Sequence, residues 1–296
     1  MKIKKNIIYL FLVIYFFLGA YQSINTGISF DEYHENLNWK TNLSGIKEIF
    51  ENKTNKILLN YEDKYHGIGF NWISNPIQIL IYKSLSNYLN INHYGSLLIA
   101  KHPIVFITFF ISGIFFYLIC NLVIRNNNFS FISTSIYLLY PYLFGHSFFN
   151  SKDIPFLSLW VICTYLIIKF IKNLVESKLI TKKFILIFSL ATALLISIRI
   201  VGLIIFLQYL IFILAFIENK NYNLLIFFRK KLNIFILFLF FTFFFVYIFN
   251  PIFWLNPLEI INSIQWMGKY YHDICTLTLG ECMPALNLPS SYYFIW

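Results

Sequence analysis

The sequence predicts an all-α polytopic membrane protein, and three observations carry that reading. Apolar residues make up 58% of the 296-residue chain and charged residues only 12%, too few to cover the surface of a soluble domain of this size. The mean hydropathy is +0.66. The apolar residues gather into runs long enough to cross a membrane, at about 6–24, 103–124, 129–145, 154–171, 184–198, 201–217 and 232–249. The chain from 1 to 296 therefore reads as a single helical membrane domain, with a long outer loop at 25–102 and a C-terminal outer segment at 250–296.

The first run opens as "MKIKKNIIYLFLVIYFFLGA", a basic flank followed by an apolar core. That is the pattern of a signal peptide, but Asn6 to Ile24 is long enough to span and the cleavage signal around Ala20 is poor, so an uncleaved helix is expected. In the outer loop, "PIQILIYKSLSNYL" at 76–89 is too short and too polar to span, and reads as a helix lying on the membrane surface. The fifth and sixth runs are short and separated by "SIRIVG". They are either two tilted spans meeting in a re-entrant turn or one interrupted helix. Cys120 and Cys163 sit in apolar runs and are expected to pack there, whereas Cys275 and Cys282 share a polar loop and could pair in an oxidising compartment.

Charge sets the orientation. Lys2, Lys4 and Lys5 place the N-terminus in the cytoplasm, and alternation then puts Arg125, the group Lys172, Lys178, Lys182 and Lys183, and the cluster Arg229, Lys230 and Lys231 on the same side. The net charge of +10 is thereby explained by cytoplasmic loops and anionic headgroups, without nucleic acid. Of the 13 Asp and Glu, only Glu176 and Glu218 fall inside; the outer loop holds seven, and Asp153, Glu259, Asp273 and Glu281 complete the outer set. Acidic residues do not normally set topology, so the polar chemistry is expected on the extracytoplasmic face.

Two stretches concentrate it. "ISFDEYHENLN", residues 28–38, follows the first run and carries Asp31, Glu32 and Glu35 with His34 among them. "YPYLFGHSFFNSKDIPFLSLW", residues 140–160, ends one run and opens another. Pro155 suits a first helical turn and Asp153 an N-cap, yet His146, Asn150, Lys152 and Asp153 crowd one short loop where a cap needs a single polar group. Arg199 stands between two apolar runs, where it either holds a lipid phosphate or snorkels to the headgroups. Lys152 and His146 are further phosphate-binding candidates. Lys269, Tyr271, His272 and Asp273 form a polar knot in the last outer segment, a candidate substrate-binding contact. His34 and Glu35, with Asp31, are candidate ligands for a divalent metal ion.

These stretches resemble a known family. A first span followed at once by "FDE" and then a long outer loop with amphipathic helices is similar to the GT-C glycosyltransferases. The nearest branch holds the dolichyl-phosphate-mannose protein mannosyltransferases and the bacterial lipid A aminoarabinose transferases (glycosyltransferase family 39-like). The pattern P-x-x-x-G-H-x-x-x-N-x-K-D-x-P from Pro141 to Pro155 looks like that family's second outer loop, and "FNPIFWLNP" and "LPSSYYFIW" resemble its later outer segment. Family members continue through further spans, whereas this chain stops at Trp296, so a C-terminally truncated fragment, a truncated gene or a short branch is expected.

The resemblance implies an enzyme of the bacterial inner membrane that moves a sugar from a polyprenyl-phosphate donor to an acceptor (a protein, lipid A or another glycan) on the extracytoplasmic face. It implies that Asp31 is the catalytic carboxylate, that Glu32 helps position the acceptor, and that Asp153 is a second-loop carboxylate in acceptor or metal binding. The competing expectations are a non-catalytic transporter or flippase for lipid-linked sugars and an accessory subunit. A transporter would place charges at mid-membrane, and apart from Arg199 the runs lack them.

Overall fold

The structure, a computed structural model, describes residues 5–85, 92–176, 178–219, 224–269, 275–278, 280–284 and 287–292. Among these residues it is a helical bundle with further helices gathered at one end. Five stretches are long and apolar enough to cross a membrane: Asn6–Ile24, His93–Ile124, Asp153–Leu174, Ile200–Glu218 and Lys231–Phe249.

The first helix, α1 (Lys5–Ile24), is followed by α2 (Phe30–Asn52), α3 (Lys56–Leu59), α4 (Gly69–Leu85) and α5 (His93–Ile99). Asp31 and Glu32 occupy the first turn of α2, where carboxylates complement the positive end of the helix. This helix inverts the soluble pattern. Its buried residues are Glu32, Asn38, Trp39, Asn42, Gly45 and Ile49, while Phe30, Tyr33, Leu37 and Phe50 face outward. Large apolar side chains and charged or polar ones share the outward side, Asp31, His34, Lys40 and Lys47 among the latter, a mixture that suits the edge of a bilayer. The surface helix expected at 76–89 is α4; it starts earlier and buries Phe70, Asn71, Ser74 and Gln78, and residues 86–89 lie outside the described residues.

Next come α6 (His102–Ile124), α7 (Asn127–Leu139), α8 (Pro141–His146) and α9 (Asp153–Val175). The run 129–145 is not one span. It breaks at Tyr140, which adopts an extended ψ of 118° ahead of Pro141, as the ring of a following proline demands. The 13 residues of α7 cover about 20 Å at 1.5 Å per residue, short of the ~30 Å hydrocarbon core. α7 instead packs back along α6, with Tyr137 beside Phe109 and Phe116, and α8 completes the return.

The last helices are α10 (Lys182–Ile198), α11 (Ile205–Asn219), α12 (Leu224–Phe249) and α13 (Glu259–Lys269), with 3-10 turns at Ile200–Ile204 and Pro251–Phe253. Of the two alternatives left open for 184–217, the structure has a reversal. Tyr209 packs on Phe188 and its hydroxyl lies 2.9 Å from Thr192 Oγ1, so α11 runs back along α10 and Arg199 sits at the bend. β1 (Cys275–Thr278) and β2 (Glu281–Pro284) form an antiparallel hairpin. Cys120 and Cys163 are buried free thiols and Cys282 is disulfide-bonded; the Cys275 side chain lies outside the described residues.

α10 is the central helix. Every residue from Thr192 to Ile198 is buried, against α9 and α12 along its length and α4 near its end. Gly67 and Gly69 permit that last contact. A Cβ on Gly67 would overlap the Ser197 carbonyl oxygen, so the backbone of 66–69 can lie across the end of α10 only without side chains there. Asn250 Nδ2 donates to Ser197 Oγ at 2.9 Å and Trp72 Nε1 to the Phe249 carbonyl at 2.9 Å, fastening the ends of α10 and α12 and the start of α4 together.

Candidate functional site

The same end of the bundle gathers the polar residues. The start of α2, the loop before α4, the start of α6, the α8–α9 loop and the end of α10 all meet there.

The α8–α9 loop is built around Asn150. Its Oδ1 accepts the backbone N–H groups of Lys152 (3.2 Å) and Asp153 (2.8 Å), and its Nδ2 donates to Asp153 Oδ2 (3.1 Å) and to His146 Nδ1 (3.2 Å). Asn150 thus does the capping work expected of Asp153. The Asp153 carboxylate is left to form an ion pair with Arg199 Nη2 across the bend after α10. His146, whose Nδ1 must accept from Asn150, packs at a tilt against Tyr142 with 4.2 Å between ring centres.

Lys152 reaches in the other direction. Its Nζ donates to Glu35 Oε1 at 2.7 Å, with both side chains largely enclosed. Burial on its own would raise the Glu35 carboxyl, but the Lys152 ammonium outweighs it and holds the group below the usual carboxylate range. Lys101, buried just before α6, bonds Asn71 Oδ1 and lies over the Phe70 ring at 5.7 Å. His66, between the outer helices and α10, is pushed down to about 4, first by burial and then by the nearby Lys152 charge. Asn38 Nδ2 holds the His66 carbonyl at 3.0 Å.

Glu32 faces the interior. Its Oε1 accepts the Ser29 N–H at 2.7 Å, and its Oε2 lies 2.8 Å from His102 Nε2, both side chains buried. His102 Nδ1 lies 3.0 Å from the Ser23 carbonyl, which can only accept, so Nδ1 carries a proton. One Glu32 oxygen thus caps its own helix and the other ties α2 to His102 at the start of α6, and through His102 to Ser23 of α1. The remaining carboxylate, Asp31, is exposed, and no ion pair or hydrogen bond engages its side chain among the described residues. It stands four residues before Glu35, on the same side of α2, a spacing that places Cβ atoms about 5–6 Å apart.

The metal expectation does not fit this geometry. Glu35 is bonded to Lys152, His34 is exposed and packed at a tilt against Phe30 at 4.9 Å, and no group of three or more His, Cys, Asp or Glu is placed to hold a metal among the described residues. His272 lies outside the described residues, as does the side chain of Lys269, whose backbone closes α13. Nearby, Tyr65 donates to Glu259 Oε2 at 2.6 Å, docking α13 on the outer loop.

The sequence reading overlooked Lys101, His66 and His102. The first and last stand in "KHP" ahead of an apolar run, and counting that run from Pro103 dropped them; His66 precedes the glycine pair whose close approach to α10 was its one signal. Comparisons of the chain with protein-family models, curated proteins and solved structures return no match.

Proposed function

We propose that the chain is a membrane glycosyltransferase of GT-C type, which transfers a sugar from a polyprenyl phosphate to a hydroxyl acceptor at the polar end of the bundle, on the extracytoplasmic face of a bacterial plasma membrane. The observation that carries the reading is Arg199. One edge of its guanidinium is paired with Asp153, and its Nε is buried with no acceptor among the described residues. Such a donor costs about 1–3 kcal/mol if left unpaired. The part of the guanidinium that stays exposed beside the Asp153 pair offers a lipid phosphate a planar set of donors.

In this reading Asp31 takes the proton of the acceptor hydroxyl as its oxygen attacks the anomeric carbon. The bond from that carbon to the phosphate oxygen breaks, and its electron pair leaves with the polyprenyl phosphate. Arg199, with Lys152 beside it, stabilises the charge that develops on the leaving phosphate. The donor's lipid anchor explains the placement: its sugar is presented at headgroup level, and a base that meets it must project from the first turns beyond a span, as Asp31 does. The acceptor class is a protein hydroxyl, lipid A or another glycan.

The test is transfer from radiolabelled polyprenyl-phosphate sugars by the purified protein in vesicles. Sugar should pass to an acceptor, and Asp31→Asn should lower the rate ~10²–10⁴-fold, the span typical for loss of a general base. Movement of the intact lipid-linked sugar between leaflets without transfer would overturn the proposal in favour of a flippase.

A further inference from the structure

At the opposite end of the bundle, a groove of about 590 Å³ lies between the ends of α6, α9 and α11. Its distance from the polar cluster follows from α6, whose 23 residues at 1.5 Å each separate the two by about 35 Å. The walls are apolar, with Leu122, Ile168, Phe212 and Phe216 facing the space from three spans. At the level of the helix ends the lining changes to Arg125, Lys172 and Glu176. Glu176 is engaged by Lys178 Nζ at 2.6 Å. No carboxylate engages the side chains of Arg125 or Lys172 among the described residues, and both are exposed. The groove therefore couples a hydrocarbon-lined slot to two cations at helix ends that no carboxylate engages among the described residues.

We infer that this groove binds an anionic phospholipid of the membrane, with its phosphate between Arg125 and Lys172 and an acyl chain along the apolar wall. The polarity matches each part of such a lipid in order: charge at headgroup level, apolar surface below. Basic pockets between transmembrane helices recognise anionic headgroups in this manner, and the volume lies within the range of small-molecule sites. A soluble anion would use the cations but not the slot, and a neutral lipid would use the slot but not the cations. Two cations at helix C-termini also complement the helix dipoles, so the test must separate a site from a generally basic face. The inference stands independently of the proposed activity.

The experiment measures the Tm of the purified protein in a non-ionic detergent as phosphatidylglycerol, phosphatidylcholine or soluble glycerol phosphate is added. Binding to the folded state raises Tm, so phosphatidylglycerol should raise it by at least ~3 °C and the other two should not. The double variant Arg125→Gln/Lys172→Gln should lose the response whatever its basal Tm, and Arg125→Lys/Lys172→Arg should keep it. Arg229→Gln/Lys231→Gln, which removes two cations from α12 outside the groove, should keep it as well. Equal loss in the α12 variant would show a diffuse surface attraction and overturn the site. An equal response to glycerol phosphate or to phosphatidylcholine would overturn it too, by showing that the chain or the charge is not needed.

Discussion

Lys152 Nζ and Glu35 Oε1 lie 2.7 Å apart, joining residues 117 positions distant in the chain and locking the α8–α9 loop onto α2. Removing either partner strands the other in a largely enclosed site. Glu35→Gln or Lys152→Met should each lower stability by ~1–3 kcal/mol, and the double variant should cost less than the sum. Denaturant unfolding of the four proteins checks this; additive losses would mean that the two charges do not couple. Because the folded Glu35 carboxyl lies below its unfolded value of 4.5, the pair's contribution is present above that pH and is lost as pH falls through the folded value.

His66 gives a second pH dependence, at higher pH. Its folded pKa of about 4 lies below the ordinary 6.5, so the folded state resists a proton that the unfolded chain accepts. Stability should be unaffected by this group above about pH 6.5 and fall as pH drops from 6.5 toward 4. In His66→Gln the Tm should decline less across that window. An identical profile in the two proteins would remove His66 as the cause.

Arg199→Lys keeps a charge for Asp153 and loses the two-edged donor. Donor use should weaken, as a raised KM for the polyprenyl-phosphate sugar and a fall in kcat/KM of ~10-fold or more, the scale of one charged hydrogen bond at 1.5–3 kcal/mol. Titration of initial rates against donor reads it directly. Unchanged donor kinetics would leave Arg199 as an anchor for the α10–α11 bend.

Orientation can be read with single cysteines. Glu32 and Lys152 are too enclosed to label, so the exposed His34 and Lys40 on α2 serve for the polar end, with Lys182 and Arg229 for the opposite end. An impermeant thiol reagent on intact cells should modify His34→Cys and Lys40→Cys and spare Lys182→Cys and Arg229→Cys. The reverse pattern would put the polar cluster in the cytoplasm.

The sequence by itself determined the membrane class, most of the spanning runs and the concentration of acidic residues in the segments between and after the spans. Those properties are local, since a helix must satisfy its own backbone in lipid and its length is set by the bilayer. It also located the two stretches, 28–38 and 140–160, that meet in the cluster. Tertiary structure decided which side chain of each stretch does what. Glu32 and Glu35 are three residues apart on one helix, yet Glu32 turns to His102, 70 positions away, and Glu35 to Lys152. The cap at Asn150 freed Asp153 for Arg199, and Gly67 brought His66 across the end of α10. None of these pairings leaves a period or a spacing in the chain, because a charge takes the partner that the fold brings near, and for the enclosed pairs the cost of leaving one member unpaired is high.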